Sequence, residues 1–459
     1  MDELRLLIQS RHPILYVETH EEKRLEDFLS QVARELNLAL FSWSVTKGLF
    51  RNGKPQPVYE TQDPDKVLGH IRESRIPAVY LLHDMHPYLQ DSRVVRAIRE
   101  VAQESDTNHV TLVLSSPSLE LPPELRKLSA RYNLKLPAED ELRRVVLETF
   151  RDLNRNNQYH YKLDHPQLNK FVRNLKGLTL SEVRRVISRC VFDDNVLDAS
   201  DLPQALEAKK ERIEQSGFLE FIEVGDELAS LGGLKNFKSW LRQFRAGFSD
   251  KAKKMGLRPP RGVMLVGVQG CGKSLAAKTI AREWELPLLR LETGRLMDKF
   301  VGESEKNLRH TIELAEATAP VILWIDEIEK AFAGSSTSNA DAGLGRRIFG
   351  AFLTWMQEKK ETVFVAATAN DITNTPPELL RKGRFDEVFF VDLPDLEERR
   401  ETFFIHLNMR KQDPAGFDMD ALAEASDGFS GAEIEQVIVT TLYGMLAEKM
   451  LPASPPNAL

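Results

Sequence analysis

Residues Gly267 to Ser274 read Gly-Val-Gln-Gly-Cys-Gly-Lys-Ser and fit the spacing Gly-x4-Gly-Lys-Ser. The flanking sequence constrains the fold as much as the motif does. Before it, Arg261-Gly-Val-Met-Leu-Val266 has the length and apolarity of a buried strand; after it, Leu275-Ala-Ala-Lys-Thr-Ile-Ala-Arg282 reads as a helix. Strand, glycine loop and helix together form a phosphate cradle. Gly267, Gly270 and Gly272 allow backbone N–H groups to turn toward a triphosphate, and a helix starting near Lys273 aims its positive end at the same point. In that setting Lys273 reaches the β- and γ-phosphates and the Ser274 hydroxyl holds Mg2+. The predicted fold class is therefore α/β, a parallel sheet flanked by helices.

The chain has 459 residues, enough for about three domains of roughly 150 residues. Its net charge of −7, from 62 basic and 69 acidic residues, gives no global attraction to nucleic acid or to an anionic membrane. Two cysteines, Cys190 and Cys271, cannot build a disulfide framework and fit a reducing compartment. No apolar run approaches the ~20 residues that span a bilayer, and Met1-Asp-Glu-Leu-Arg-Leu-Leu7 lacks the layout of a signal peptide. The expectation is a soluble intracellular protein with no membrane insertion.

In the N-terminal half, His12–Glu18, Leu38–Trp43, Ala78–Leu82 and Val110–Leu114 read as strands, the last two as interior strands of a parallel sheet. Thr19–Arg34 has helical spacing, but no glycine loop joins it to the strand before it. The polar insert around Asn52-Gly53 reads as an exposed loop. Three places echo the C-terminal half. Leu121-Pro-Pro-Glu-Leu-Arg-Lys127 parallels Thr375-Pro-Pro-Glu-Leu-Leu-Arg-Lys382; strands ending at Leu136-Pro137 and Leu393-Pro394 follow; and Leu175–Val183 resembles Ser426–Ile434. Matched positions stand 254 residues apart (122 to 376), 257 (137 to 394) and 251 (177 to 428). A nearly constant offset predicts two copies of one fold. The first copy has no Gly-Lys-Ser loop, and Asp84 is followed by Met85 where the second has Glu327, so it is expected neither to bind nor to split nucleotide. His83-Asp84 reads either as a metal or catalytic pair or as a remnant strand end. The boundary between the copies is expected in Pro203–Gly217.

The strand Pro320–Ile325 delivers Asp326-Glu327 to its C-terminal end, where ligands bind in open α/β sheets. There Asp326 would bind Mg2+ through its water shell, and Glu327 would orient or deprotonate the attacking water. From Leu231-Gly-Gly-Leu234, over about residue 228 to the C-terminus, the chain resembles the AAA family of ATPases.

The resemblance implies a set of roles. Gly232 packs beside adenine, Asn370 at the end of Thr362–Ala367 senses the γ-phosphate and the water, and His406 with Gly431-Ala432 lies near the ribose and adenine. Cys271 and Leu275 complete the phosphate-loop contacts. In Leu380-Arg-Lys-Gly-Arg-Phe-Asp386, Arg381 and Arg384 would neutralise transition-state charge on a neighbouring subunit's nucleotide, so a homo-oligomer, a hexameric ring, is implied. Asp298–Lys306 resembles a pore segment with Phe300 and Val301 gripping a polypeptide, and Ala333–Gly345 a second pore loop. Cys271 reads either as a redox brake, its thiol acidified by the helix N-terminus, or as a small space-filling residue. Leu396–His406, Met419–Ser426 and Ser430–Met450 read as lid helices. The proline-rich Leu451–Leu459 stands where such lids have a further helix, so the lid is short or the chain is cut.

The full expectation is a degenerate AAA-like domain at 1–215 (α/β about 1–137, helical 138–215), an ATPase subdomain at 216–394 and a helical lid at 395–459. It resembles the poorly characterised AAA proteins of bacteria and algal plastid genomes. ATP and Mg2+ are the expected cofactors, the cytoplasm or the plastid stroma the expected location, and an unidentified protein the expected substrate. Two functions are carried forward: ATP-driven remodelling or threading of that protein, and a nucleotide-switched scaffold. Nucleic-acid remodelling is disfavoured because no basic stripe stands out.

Overall fold

The computed structural model describes residues 2–54, 56–74, 76–118, 120–155, 159–225, 232–248, 250–297, 303–331, 340–371, 376–381 and 383–450. The chain forms two compact units, Met1–Ala138 with Thr179–Arg185, and Glu139–Leu178 with Val186–Leu459.

In the first unit the strands are β1 (Ile14–Glu18), β2 (Ala39–Ser44), β3 (Gly48–Arg51), β4 (Ala78–His83), β5 (Val110–Ser116) and β6 (Ser129–Arg131), in the order β3-β2-β4-β5-β1-β6. All pair in parallel except the β2–β3 hairpin. β4 and β5 are almost continuously apolar because both faces of the sheet are covered. Tyr80, Leu82, Leu112 and Leu114 face one cluster, built with the helices Pro64–Glu73 and Ser92–Asn108. Val79, Leu81, Val113, Leu15 and Val17 face the other, under the helices Asp2–Gln9 and Glu22–Glu35. The insert read as a loop keeps Asn52-Gly53 exposed, but the residues before it add β3 to the sheet. The strand expected to end at Leu136-Pro137 ends instead at Arg131.

The second unit contains a short pair, β7 (His160–Tyr161) with β8 (Val196–Leu197), and a six-stranded sheet. Its strands are β9 (Leu219–Ile222), β10 (Gly262–Gly267), β11 (Leu288–Leu291), β12 (Val321–Ile325), β13 (Val363–Ala369) and β14 (Glu387–Val391), ordered β14-β10-β13-β12-β11-β9. Only β9 runs antiparallel. One face carries an aromatic core in which Trp240 and Trp284, from the helices Lys235–Phe244 and Lys273–Trp284, surround Phe364 of β13. The lid helices Leu396–Met409, Met419–Ala425 and Gly431–Met450 enclose a small core of Phe403, Leu407, Ile434 and Ile438.

The two sheets share one strand order. β6-β1-β5-β4-β2 in the first matches β14-β10-β13-β12-β11 in the second, and each adds one antiparallel edge strand. The helix starts match in detail. Thr179 N–H and hydroxyl both donate to Glu182, just as Ser430 N–H and hydroxyl donate to Glu433. The strands β4 and β12 set the register, which corrects the sequence alignment. Ala78 pairs with Val110, the first residue of β5, as Val321 pairs with Val363, the first of β13, so Asp84, not Met85, stands at the position of Glu327, and both take left-handed backbones, φ 51° and 48°. His83 therefore corresponds to Asp326.

Where the second unit has its glycine loop, the first has only Thr19-His20-Glu21 between β1 and its helix. The Glu21 carboxylate accepts from the backbone N–H of Leu180 at 2.9 Å and from Arg24 at 3.0 Å, and Arg24 donates in turn to the Lys135 carbonyl. Both side chains of this ion pair are more than nine-tenths buried. Removing one partner of a buried pair costs far more than the pair contributes. Glu21→Ala is expected to destabilise the first unit by about 3 kcal/mol in denaturant melts, with Glu21→Gln milder.

Lys359 lies beside the starts of β10 and β13 in the second sheet. Its ammonium donates to the carbonyls of Arg261 (2.7 Å) and Val363 and lies 5.3 Å from the Trp355 ring centre. Burial pushes its pKa down to about 7. In the unfolded chain a lysine titrates at ~10.4, so between those values the unfolded state binds more protons and stability rises with pH. Denaturant melts from pH 7 to 10 should show that rise, and Lys359→Met should flatten it.

Candidate functional site

β10 ends at Gly267, whose backbone φ of 151° and close packing admit no side chain. A Cβ there would lie 1.9 Å from the Val391 carbonyl oxygen of β14. The chain therefore turns out of the sheet, and the loop Val268–Gly272 rises into the helix beginning at Lys273. The lid reaches the loop through a hydrogen bond from Ala432 N–H to the Gly270 carbonyl, 3.0 Å long. Gly270 has no room for a side chain either, since a Cβ would meet Ser430 Oγ at 2.9 Å.

Loop, strand ends and lid enclose a cleft of about 560 Å³, within the usual range for a small-molecule site. Gly232, Gly270, Cys271, Gly272, Lys273, Ser274, Leu275, Asp326, Glu327, Asn370, His406, Gly431 and Ala432 all line it; Gly267 lies beneath it at the strand end. Lys273 is buried, which lowers its pKa, and its ammonium donates to the carbonyls of Gly267 (2.8 Å) and Val268 (2.7 Å). To engage a phosphate it exchanges these two acceptors for anionic ones. Ser274 faces the cleft with an exposed hydroxyl. Together with Asp326 it offers hard oxygen donors, the type Mg2+ selects. Among the described residues no cluster of three or more metal-ligating side chains exists.

A connected polar layer lies under the far wall. Asn370 Nδ2 donates to Glu327 Oε1 at 2.7 Å, and Lys330 holds Oε2 at 2.8 Å. Thr368 donates its hydroxyl proton to Asp326 Oδ1 at 2.5 Å and accepts from Glu327 N–H at 3.1 Å. Buried Glu329 accepts from the Asn370 backbone N–H at 3.0 Å. Its second oxygen, also buried, has no hydrogen-bond partner among the described residues. The sequence reading passed over Thr368, Glu329 and Lys330. The signal that marks Thr368 is its place as the lone hydroxyl in the otherwise apolar β13.

On the opposite wall, lid carboxylates clamp the glycine segment. Gly233 N–H donates to Glu401 (2.8 Å) and Leu234 N–H to Glu398 (3.0 Å), which fixes the neighbouring Gly232 against Thr402. His406 is half-buried and its pKa is lowered by burial, so its ring is neutral at pH 7.

The remaining candidates fall elsewhere. Arg381 and Arg384 do not line the cleft. Arg381 is exposed, Arg384 donates to the Glu378 carbonyl, and their segment is tied to the start of β10 by Asp386, which accepts from the backbone N–H groups of Arg261 and Gly262. Burial pushes the Cys271 thiol pKa up, opposite to the acidification a redox brake requires. Phe300 and Val301, most of Ala333–Gly345 and all of Leu451–Leu459 lie outside the described residues. Among the described residues no helix is long and apolar enough to cross a membrane.

Comparison with known proteins bears on the whole chain. Residues 1–134 match the SpoVK-like AAA ATPase N-terminal domain, 140–216 the SpoVK-like AAA ATPase second domain, and 263–393 the ATPase family associated with various cellular activities. The chain is 38% identical over 446 residues to the uncharacterized AAA domain-containing protein ycf46 of Trieres chinensis, covering 96% of this chain and 88% of that protein. The protein of the same description in Guillardia theta is 39% identical over 445 residues, 96% of this chain and 86% of the relative. That of Pyropia yezoensis is 37% identical over 451 residues, 97% and 90%. With the phosphate loop, the strand-end carboxylates and the lid in one cleft, and relatives matched almost end to end, the chain belongs to the AAA family of ATPases.

Proposed function

We propose that this chain is a Mg2+-dependent ATPase that works as a homo-oligomer, a hexameric ring, and couples hydrolysis to remodelling or threading of a protein. The observation carrying the hydrolytic part is Glu327. It sits at a strand end, held by Asn370, in the same cleft as Lys273 and Ser274. Lys273 and the loop amides bind the β- and γ-phosphates; Ser274 and Asp326 hold the Mg2+, which neutralises phosphate charge when bound. Glu327 orients or deprotonates the attacking water, and Asn370 fixes that carboxylate while its amide keeps a second N–H for the γ-phosphate.

Arg381 and Arg384 supply charge to a neighbour's nucleotide. Their position outside their own chain's cleft supports that division of labour. A substrate protein gripped by Phe300 and Val301 completes the motor reading. We divide the chain at 215 and 394, into a degenerate AAA-like domain, an ATPase subdomain and a lid. We place it in the cytoplasm, or the stroma if organellar, without membrane insertion and with a protein rather than a nucleic acid as partner. A second reading, a nucleotide-switched scaffold, is favoured by the first unit, a repeated fold whose phosphate loop is replaced by Thr19-His20-Glu21.

Glu327→Gln should retain ATP binding and lose at least about 100-fold in turnover. Native mass spectrometry of that variant with ATP should show a six-chain assembly. A strictly monomeric chain hydrolysing ATP at full rate would refute the trans arginines. Phe300→Ala should abolish substrate processing with basal hydrolysis largely intact. Unchanged processing in that variant, or full biological output from Glu327→Gln, moves the assignment to the scaffold.

A further inference from the structure

We infer that the Thr368 hydroxyl is a positioning group for both members of the Asp326-Glu327 pair, a role that rests on the ATPase reading above. Thr368 is the one polar side chain in β13, Val-Phe-Val-Ala-Ala-Thr-Ala, and is 1% exposed. A hydroxyl has one proton and two lone pairs. Here the proton goes to Asp326 Oδ1 (2.5 Å), and one lone pair takes the Glu327 N–H (3.1 Å). A single buried atom thus connects the side chain of one carboxylate to the backbone of the next.

Each contact has a consequence for the reaction. Donation to Oδ1 orients the Asp326 carboxylate, which would offer its other oxygen, Oδ2, to a bound cation through water. Acceptance from Glu327 N–H holds a residue whose φ of 48° is unfavourable for any side-chain-bearing residue. That left-handed backbone sets the direction from which the Glu327 side chain meets Asn370. Losing the hydroxyl therefore disturbs cation coordination and water orientation together, while the phosphate loop is untouched.

The first unit supplies an internal comparison. Its β5 register places Ser115 where β13 has Thr368, and Ser115 Oγ lies 2.9 Å from Nδ1 of His83, the counterpart of Asp326. Asp84, the counterpart of Glu327, donates its N–H to the backbone carbonyl of Ser115 instead of the hydroxyl. The strand-end hydroxyl is present in both units, but only in the second does it join two carboxylate residues. A serine at this position reaches the neighbouring strand end, so Thr368→Ser should keep the bridge that Thr368→Val deletes.

The test compares these two variants with the wild-type full chain in steady-state ATP hydrolysis over a Mg2+ titration, alongside binding of a fluorescent ATP analogue in EDTA. Thr368→Val should lower kcat by about 10- to 100-fold, as expected for losing a hydrogen bond to a charged group. Its half-saturating Mg2+ should rise several-fold, and metal-free nucleotide binding should stay within about twofold, since the loop contacts remain. Thr368→Ser should return both kcat and the Mg2+ requirement to near wild type. A Thr368→Val variant with unchanged kcat and Mg2+ dependence overturns the proposal. So does a Thr368→Ser variant as impaired as the valine, because packing of the methyl group would then be responsible. A wild-type chain with no ATP turnover overturns the ATPase reading and this proposal with it, an outcome distinct from turnover that ignores the valine.

Discussion

The site depends on one close backbone approach, Gly267 against the carbonyl of Val391. In a parallel sheet the C-terminal ends of the strands lie on one edge, and the first strand to leave that edge determines where a ligand sits. β10 lies between β13 and β14 and cannot shift sideways. Because no side chain fits at its last residue, the loop turns over the sheet edge into the cleft that Asp326 and Asn370 also line. Any larger residue at 267 separates β10 from β14 and moves the loop, the helix behind it and Lys273 together.

Beneath that loop the chain concentrates charge that the fold has to balance. Asp326, Glu327 and Glu329 occupy four consecutive positions with one isoleucine between them, and Lys273 is buried across the cleft. Isolated charges in such a setting are expensive, so nearly every one is tied into a network. Thr368, Asn370 and Lys330 satisfy the first two carboxylates, and a backbone N–H satisfies half of the third. The exception among the described residues is the second oxygen of Glu329.

Much of this was legible in the sequence where chemistry fixes residue types at short spacing. A phosphate loop needs glycines, a lysine and a hydroxyl in a row, and a strand-end carboxylate pair follows an apolar run. The same holds for the duplication, because prolines and helix caps mark turns that both units share. What stayed hidden was decided across strands. Thr368 and Asp326 are 42 residues apart and meet only through the β12–β13 register. Asp84 was set one position out of register because residue type suggested Asp326 as its partner, whereas the left-handed backbone pairs it with Glu327. Cys271 was open to misreading because the helix N-terminus suggests a lower thiol pKa while burial raises it.

The two units also differ in how their helical tops are fastened. In the second, the contact between loop and lid is a neutral amide-to-carbonyl bond, Ala432 to Gly270, of a kind worth about 1 kcal/mol. In the first, the equivalent helix start is held by a buried carboxylate that also grips an arginine, Glu21 with Leu180 and Arg24, a class of bond about twice as strong. One is a latch that thermal motion can lift, and the other is a weld. Local opening of the helix start in the second unit therefore breaks one neutral bond, whereas the same opening in the first also uncovers a buried ion pair.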